Sequence, residues 1–230
     1  MNNYKKIAEY LAVKRFLQEH PDYFTKDEQL SIDHYASKLD DKAYLKDVTR
    51  EIYDELDLIP ENKNIYIAFI ELIRQLYGLD NKNIVEVGGG IIPRLAKRIK
   101  LQQKNGTITV FDPRLAKDIE ETEGMTLKRE QFSSATEIPE ANLLIGLMPC
   151  EGATPLIMQA TQKQIDFILW LCEGGPHGEP FDFYESDEEW IDSTIHTARR
   201  GVEDNNMGEL HKLELKDYSD YPIIYNQRKK

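Results

Sequence analysis

Glu86 interrupts the apolar run Ile84-Val85-Glu86-Val87, and three consecutive glycines, Gly88, Gly89 and Gly90, follow it directly. A carboxylate inside an apolar strand is costly unless it is paired or sits near the strand's open end. Its place two residues before the glycines favours the open end. The glycines let the chain turn sharply and put no side chain between the backbone and a ligand lying on it. Asp112 stands 22 residues after Gly90, closing the second apolar run, Thr107-Ile108-Thr109-Val110-Phe111. An acid there can accept both hydroxyls of a ribose. The alternative role is a helix cap ahead of Pro113, and the ligand role is the one expected. This first set of residues therefore points to recognition of a nucleoside-type ligand.

A second set follows later apolar runs. Cys150 and Glu151 come after residues 141–148, and Cys172 comes after residues 165–171. Glu151 can serve as a general base or cap the helix that starts near Thr154-Pro155. The two cysteines should end neighbouring strands. They read either as small buried residues or as reactive groups facing one pocket. His177 lies on a Gly- and Pro-rich loop past the fifth run, and His196 falls off the apolar face of its helix, so it should be solvated. No CxxC or HxxxH spacing supports a metal centre.

The elements that must position these groups alternate. From residue 82 the chain reads strand, glycine turn, helix, strand, with Pro93 placed at the first turn of the first helix. Strands are expected at 84–87, 106–111, 125–128, 141–148 and 165–171, with a helix opening at Thr154. Strands spaced by helices in this way argue for a parallel, doubly wound sheet. Ser186-Asp187-Glu188-Glu189 reads as a capping box for a further helix ending near Gly201. Residues 210–215 and 221–225 then form an antiparallel pair that closes the sheet. Residues 1–80 read as a helical segment, a cap or oligomerisation element, with the strongest helix over 62–77 and Gly78 at its C-terminal cap. The domain boundary is placed between 80 and 81.

The 230 residues suffice for one α/β domain with an added segment. A formal net charge of −12 argues against a general nucleic-acid surface. Ten acids against one lysine over residues 151–192 suit a neutral or cationic substrate better. Five bases, Arg94, Lys97, Arg98, Lys100 and Lys104, read as a solvated helix face. No run is long enough to span a bilayer, no secretory signal stands at the start, and two cysteines make no disulfide framework. A cytoplasmic location is the expectation.

Val85-Glu86-Val87-Gly88-Gly89-Gly90, the following Asp112 and the closing strand pair together resemble the class I S-adenosylmethionine-dependent methyltransferases. The resemblance covers roughly residues 80–172 and 208–226, on the strand spacing. It implies a Rossmann-like, seven-stranded α/β sheet with a closing antiparallel strand, preceded by the helical segment, and S-adenosyl-L-methionine as cofactor. It further implies that Glu86 holds the methionine end, Gly88, Gly89 and Gly90 lie beneath the cofactor, Asp112 takes the ribose, and Gln131 and Phe132 line the adenine. Cys150 and Glu151 would stand beside the methyl donor. The segment Met148-Pro149-Cys150-Glu151 departs from the Asn/Asp-Pro-Pro-aromatic motif of amino-directed methyltransferases, which turns the expected acceptor towards a small molecule or a protein group. A cofactor- or partner-binding protein without catalysis is the alternative. A nicotinamide oxidoreductase fits less well, because Pro93 replaces the small residue that its fingerprint needs.

Overall fold

The computed structural model describes residues 64–90, 92–115, 119–172, 184 and 186–228. The helices expected before residue 58, the 173–183 loop and His177 lie outside the described residues. One compact unit comprises Ile65–Leu115 and Glu121–Lys230. The other, Met1–Asn64 with Ala116–Glu120, lies almost wholly outside the described residues.

The first unit runs α1 (Ile65–Tyr77), β1 (Ile84–Val87), α2 (Arg94–Gln102), β2 (Ile108–Phe111), β3 (Met125–Lys128), β4 (Leu143–Leu147), a short 3-10 turn (Cys150–Gly152), α3 (Ala153–Gln162), β5 (Asp166–Trp170), α4 (Asp187–Asp204), β6 (Glu209–Leu213) and β7 (Ile223–Gln227). The strands form one sheet in the order β3-β2-β1-β4-β5-β7-β6. The first five are mutually parallel, and β7 runs antiparallel to both of its neighbours. The expected seven-stranded, doubly wound α/β sheet with an antiparallel closing strand is thus present.

Side chains alternate across a strand, so β1 divides its residues between two layers. Val85 and Val87 join Leu144, Phe167 and Leu169 in the core beneath α3 and α4. Ile84 and Glu86 point the other way, towards the layer of α1 and α2. There Phe69 of α1 packs on Trp170 with ring centroids 5.8 Å apart. Both layers are dry enough that all four residues of β1 and of β2 are buried.

The local signals act largely as their chemistry requires. Gly78 takes φ +73 and returns its N–H to Arg74 O at 3.0 Å, closing α1. The Ser186 hydroxyl accepts from the Glu189 N–H and opens α4. Two expectations change. First, α1 belongs to the sheet's unit, which begins at Ile65 rather than near 81, because its Tyr77 hydroxyl reaches Phe167 O and Asn226 O at 3.0 and 2.5 Å. Second, α3 starts at Ala153, and its cap position is Gly152 without a side-chain hydrogen bond. The 3-10 turn over Cys150–Gly152 runs straight into the helix, so Thr154 lies inside it and caps nothing.

Candidate functional site

At the carboxyl end of β1 the chain turns on Gly88 and Gly90, both at positive φ, +79 and +75. The Gly88 N–H still donates to Phe111 O at 2.9 Å, extending the β1–β2 pairing into the turn. A Cβ on Gly88 would fall 2.7 Å from Pro149 Cα, and one on Gly89 would fall 2.4 Å from Val110 Cγ1. These two glycines are therefore demanded by the protein's own close packing as well as by any ligand.

Asp112 follows β2 and is 2% exposed. Its Oδ2 accepts the Gly90 N–H at 2.8 Å. Its Oδ1 accepts the Arg114 N–H at 2.7 Å, an Asx-type turn. The Arg114 guanidinium lies over both oxygens at 3.3 Å. The carboxylate faces the glycine turn, and it also caps its own loop. Arg114 is half exposed, whereas the Asp112 side chain it covers is only 3% exposed.

Glu86 lies beneath the turn, its Cδ 3.8 Å from where a Gly89 Cβ would stand. The carboxyl accepts the Ala96 N–H, one of the amides that a helix start leaves without an intrahelical partner. Pro93, at the cap position of α2, supplies no such acceptor. The other oxygen, Oε2, is buried with no hydrogen-bond partner among the described residues. Burial pushes the group up to about 8; the Ala96 N–H opposes this shift and the Asp112 charge adds to it. At neutral pH the Glu86 carboxyl therefore largely keeps its proton.

After β3 the two candidate residues have opposite surroundings. Gln131 is exposed. Phe132 is 4% exposed and packs edge-on against Phe111, ring centroids 5.2 Å apart. The ring belongs to the core and anchors the loop. Sequence reading missed Gln159 of α3, 2% exposed, whose Nε2 lies 3.2, 3.2 and 2.6 Å from the carbonyls of Ser133, Ser134 and Thr136. A polar residue among the buried positions of α3 was its only signal. Arg94 also breaks the pattern of a solvated basic face, since it is 6% exposed, whereas Lys97 and Lys104 are exposed.

After β4 the chain carries Met148 at φ +55 and Cys150 at φ +45 on either side of Pro149, a conformation that residues with a Cβ seldom adopt. The Met148 N–H donates to Trp170 O at 2.7 Å. Cys150 is half-buried and Cys172 buried, and their Sγ atoms lie 3.4 Å apart. The two cysteines meet, as expected of residues at the ends of adjacent strands. Glu151 is exposed. Among the described residues no group of three metal-ligating side chains comes together. His196 is exposed, as expected.

The decisive feature is the sheet. A dinucleotide fold of the classic kind has an all-parallel order with β6 beside β5; here antiparallel β7 lies between them, with the glycine turn at the carboxyl end of central β1.

The fold is Rossmann-like and methyltransferase-like.

No protein-family model matches the chain, and no curated protein matches it. Solved structures of methyltransferase-like fold are similar to it at low identity. A precorrin-6y C5,15-methyltransferase from Geobacter metallireducens is 12% identical over 72% of this chain and 88% of its own, with a TM-score of 0.43. Fibrillarin from Aeropyrum pernix, solved with natively bound S-adenosyl-L-methionine, is 13% identical over 69% and 73%, with a TM-score of 0.45. The antibiotic-resistance methyltransferase Kmr is 13% identical over 69% and 92%, with a TM-score of 0.43. No helix among the described residues is long and apolar enough to cross a membrane.

Proposed function

We propose that the chain is an S-adenosyl-L-methionine-dependent methyltransferase acting on a small molecule or a protein group. One observation carries the reading: two buried carboxyls converge on the glycine turn, Asp112 hydrogen-bonded to the Gly90 amide and Glu86 beneath with one oxygen undonated. S-adenosylmethionine offers the matching groups, a ribose diol and an α-ammonium. The diol exchanges with the half-exposed Arg114 guanidinium on Asp112. The buried Glu86 oxygen, without a partner among the described residues, suits the ammonium end once the carboxyl has lost its proton, which supplies the opposite charge. Exposed Gln131 stands on the adenine side.

The bound cofactor would supply a sulfonium-activated methyl group, so the protein's task is to bind, orient and exclude water. Residues 88–90 provide a floor without side chains. The segment after β4 would meet the acceptor: Glu151, exposed there, can take up the acceptor's proton, and Cys150 borders the same place. The acid-rich stretch that follows favours a neutral or cationic acceptor over nucleic acid. Water-soluble surroundings in the cytoplasm suit such a substrate, and the N-terminal segment would serve as a cap or an oligomerisation element.

Calorimetry tests the proposal. S-adenosylmethionine and S-adenosylhomocysteine should bind, and NAD should not. Heat with NAD alone would overturn the reading. Transfer of a labelled methyl group from the cofactor into a cell extract separates an enzyme from a protein that only holds the cofactor.

A further inference from the structure

Cys150 and Cys172 are the only two cysteines in the chain. They are 22 residues apart in sequence, yet their sulfurs touch at 3.4 Å across the ends of β4 and β5. A disulfide requires about 2.05 Å between sulfurs, so a small side-chain approach closes the gap. We propose that these two thiols form a reversible intramolecular disulfide that fastens the segment after β4 against the glycine turn. The proposal goes beyond the methyltransferase reading and does not depend on it.

The pair is asymmetric in the way that thiol–disulfide exchange needs. Cys150 is half-buried, whereas Cys172 is 6% exposed. Cys150 also opens the 3-10 turn leading into α3, a helix whose first amides have no side-chain cap. The oxidant is a low-molecular-weight disulfide. The Cys150 thiolate attacks one of its sulfurs, forms a mixed disulfide and releases one thiolate. The Cys172 thiolate then attacks the Cys150 sulfur and displaces the second. The two protein thiols give up two electrons and two protons; the small disulfide becomes two thiols.

The mechanical consequence follows from what lies between the sulfurs and the turn. Met148 and Cys150 hold left-handed backbone on both sides of Pro149. Pro149 presses on Gly88, leaving 2.7 Å between its Cα and a hypothetical Cβ there. Gly152 sits equally close to Val87, with 2.5 Å from such a Cβ to Cγ1. In the dithiol form, relaxation of the two strained residues lets the segment lift from the turn. In the disulfide form its start is tied to the end of β5, and that movement is lost.

The full-length protein, equilibrated in mixtures of oxidised and reduced glutathione, provides the test. Intact mass should fall by about 2 Da, the loss of two hydrogens, in one two-electron transition that takes both thiols together. Hydrogen exchange at residues 148–152 should slow by about tenfold on oxidation and recover with dithiothreitol. Cys172→Ser should instead accumulate one glutathione adduct on Cys150, and Cys150→Ser should stay unmodified. Wild-type protein that collects a stable glutathione adduct without losing two hydrogens would overturn the disulfide. Disulfide formation with unchanged exchange at 148–152 would overturn the lock. Neither readout requires S-adenosylmethionine to bind.

Discussion

The Asp112 carboxylate accepts the Gly90 amide across 2.8 Å, tying the end of β2 to the turn after β1. The same group caps its own loop through the Arg114 N–H. Removing it as Asp112→Ala should cost about 1–3 kcal/mol of stability, measured by urea unfolding, because buried donors lose a charged acceptor. It should also abolish the calorimetric signal with S-adenosylmethionine. Asp112→Asn, which keeps one carbonyl acceptor, should recover most of the stability and little of the binding. Full affinity in Asp112→Ala would remove this residue from the site.

Glu86 sets a pH dependence with a definite sign. Its folded value of about 8 lies above the ordinary 4.5, so the native state binds the extra proton between these values. Stability is fully present below about 4.5 and declines as pH rises to about 8, by on the order of a few kcal/mol for so buried a group. Glu86→Gln, neutral throughout, should flatten this part of the profile. Unfolding free energies taken from pH 5 to 9 would show it. A wild-type curve rising over that range, with no change in Glu86→Gln, is the contrary result.

The two glycines should fail for different reasons. Gly89→Ala meets a single methyl of Val110; overpacking of this sort costs about 1–3 kcal/mol. Val110→Ala should restore part of that loss, and a double-mutant cycle would measure the coupling. Gly88→Ala meets the Pro149 backbone and must also hold φ +79. It should be the more damaging, with no rescue by trimming Val110.

Gln159 holds the loop after β3 by its backbone carbonyls. Gln159→Leu should leave those carbonyls without their donor, raise hydrogen exchange over residues 133–136 and lower stability by about 1–3 kcal/mol. Affinity for S-adenosylmethionine should drop while that for methionine alone stays the same, since only the adenine side is loosened. Equal exchange in both proteins would deny Gln159 this positioning role.

Much of this arrangement could be read from residue types alone. The glycine turn announces itself because no other residue follows a buried strand with such freedom. Asp112 was legible because an acid ending an apolar run has few places to go. β3 was faint for a physical reason: it pairs only with β2 at the sheet edge and exposes half its residues, so Met125 and Leu127 are its only buried side chains. Phe132 and Gln131 show the opposite limit. Spacing puts both at one bend, and only the aromatic pocket beside Phe111 decides which turns inward. The start of α3 was misjudged because a Thr-Pro pair caps as readily as it continues a helix. The preceding 3-10 turn decided the matter.

β7 sits between β5 and β6, although residues 209–213 precede it in the chain. The Asn226 side chain completes the join, accepting the Phe167 N–H at 2.7 Å and donating to Asp166 and to Met207 O. Until residues 223–227 have left the ribosome, β5 is therefore a bare flank of open peptide groups and β6 has nowhere to dock. A nascent chain stalled before that point would be a template for sticking to its neighbours. Its burst into the finished shape must wait for contacts such as Tyr77 to Asn226, 149 residues apart.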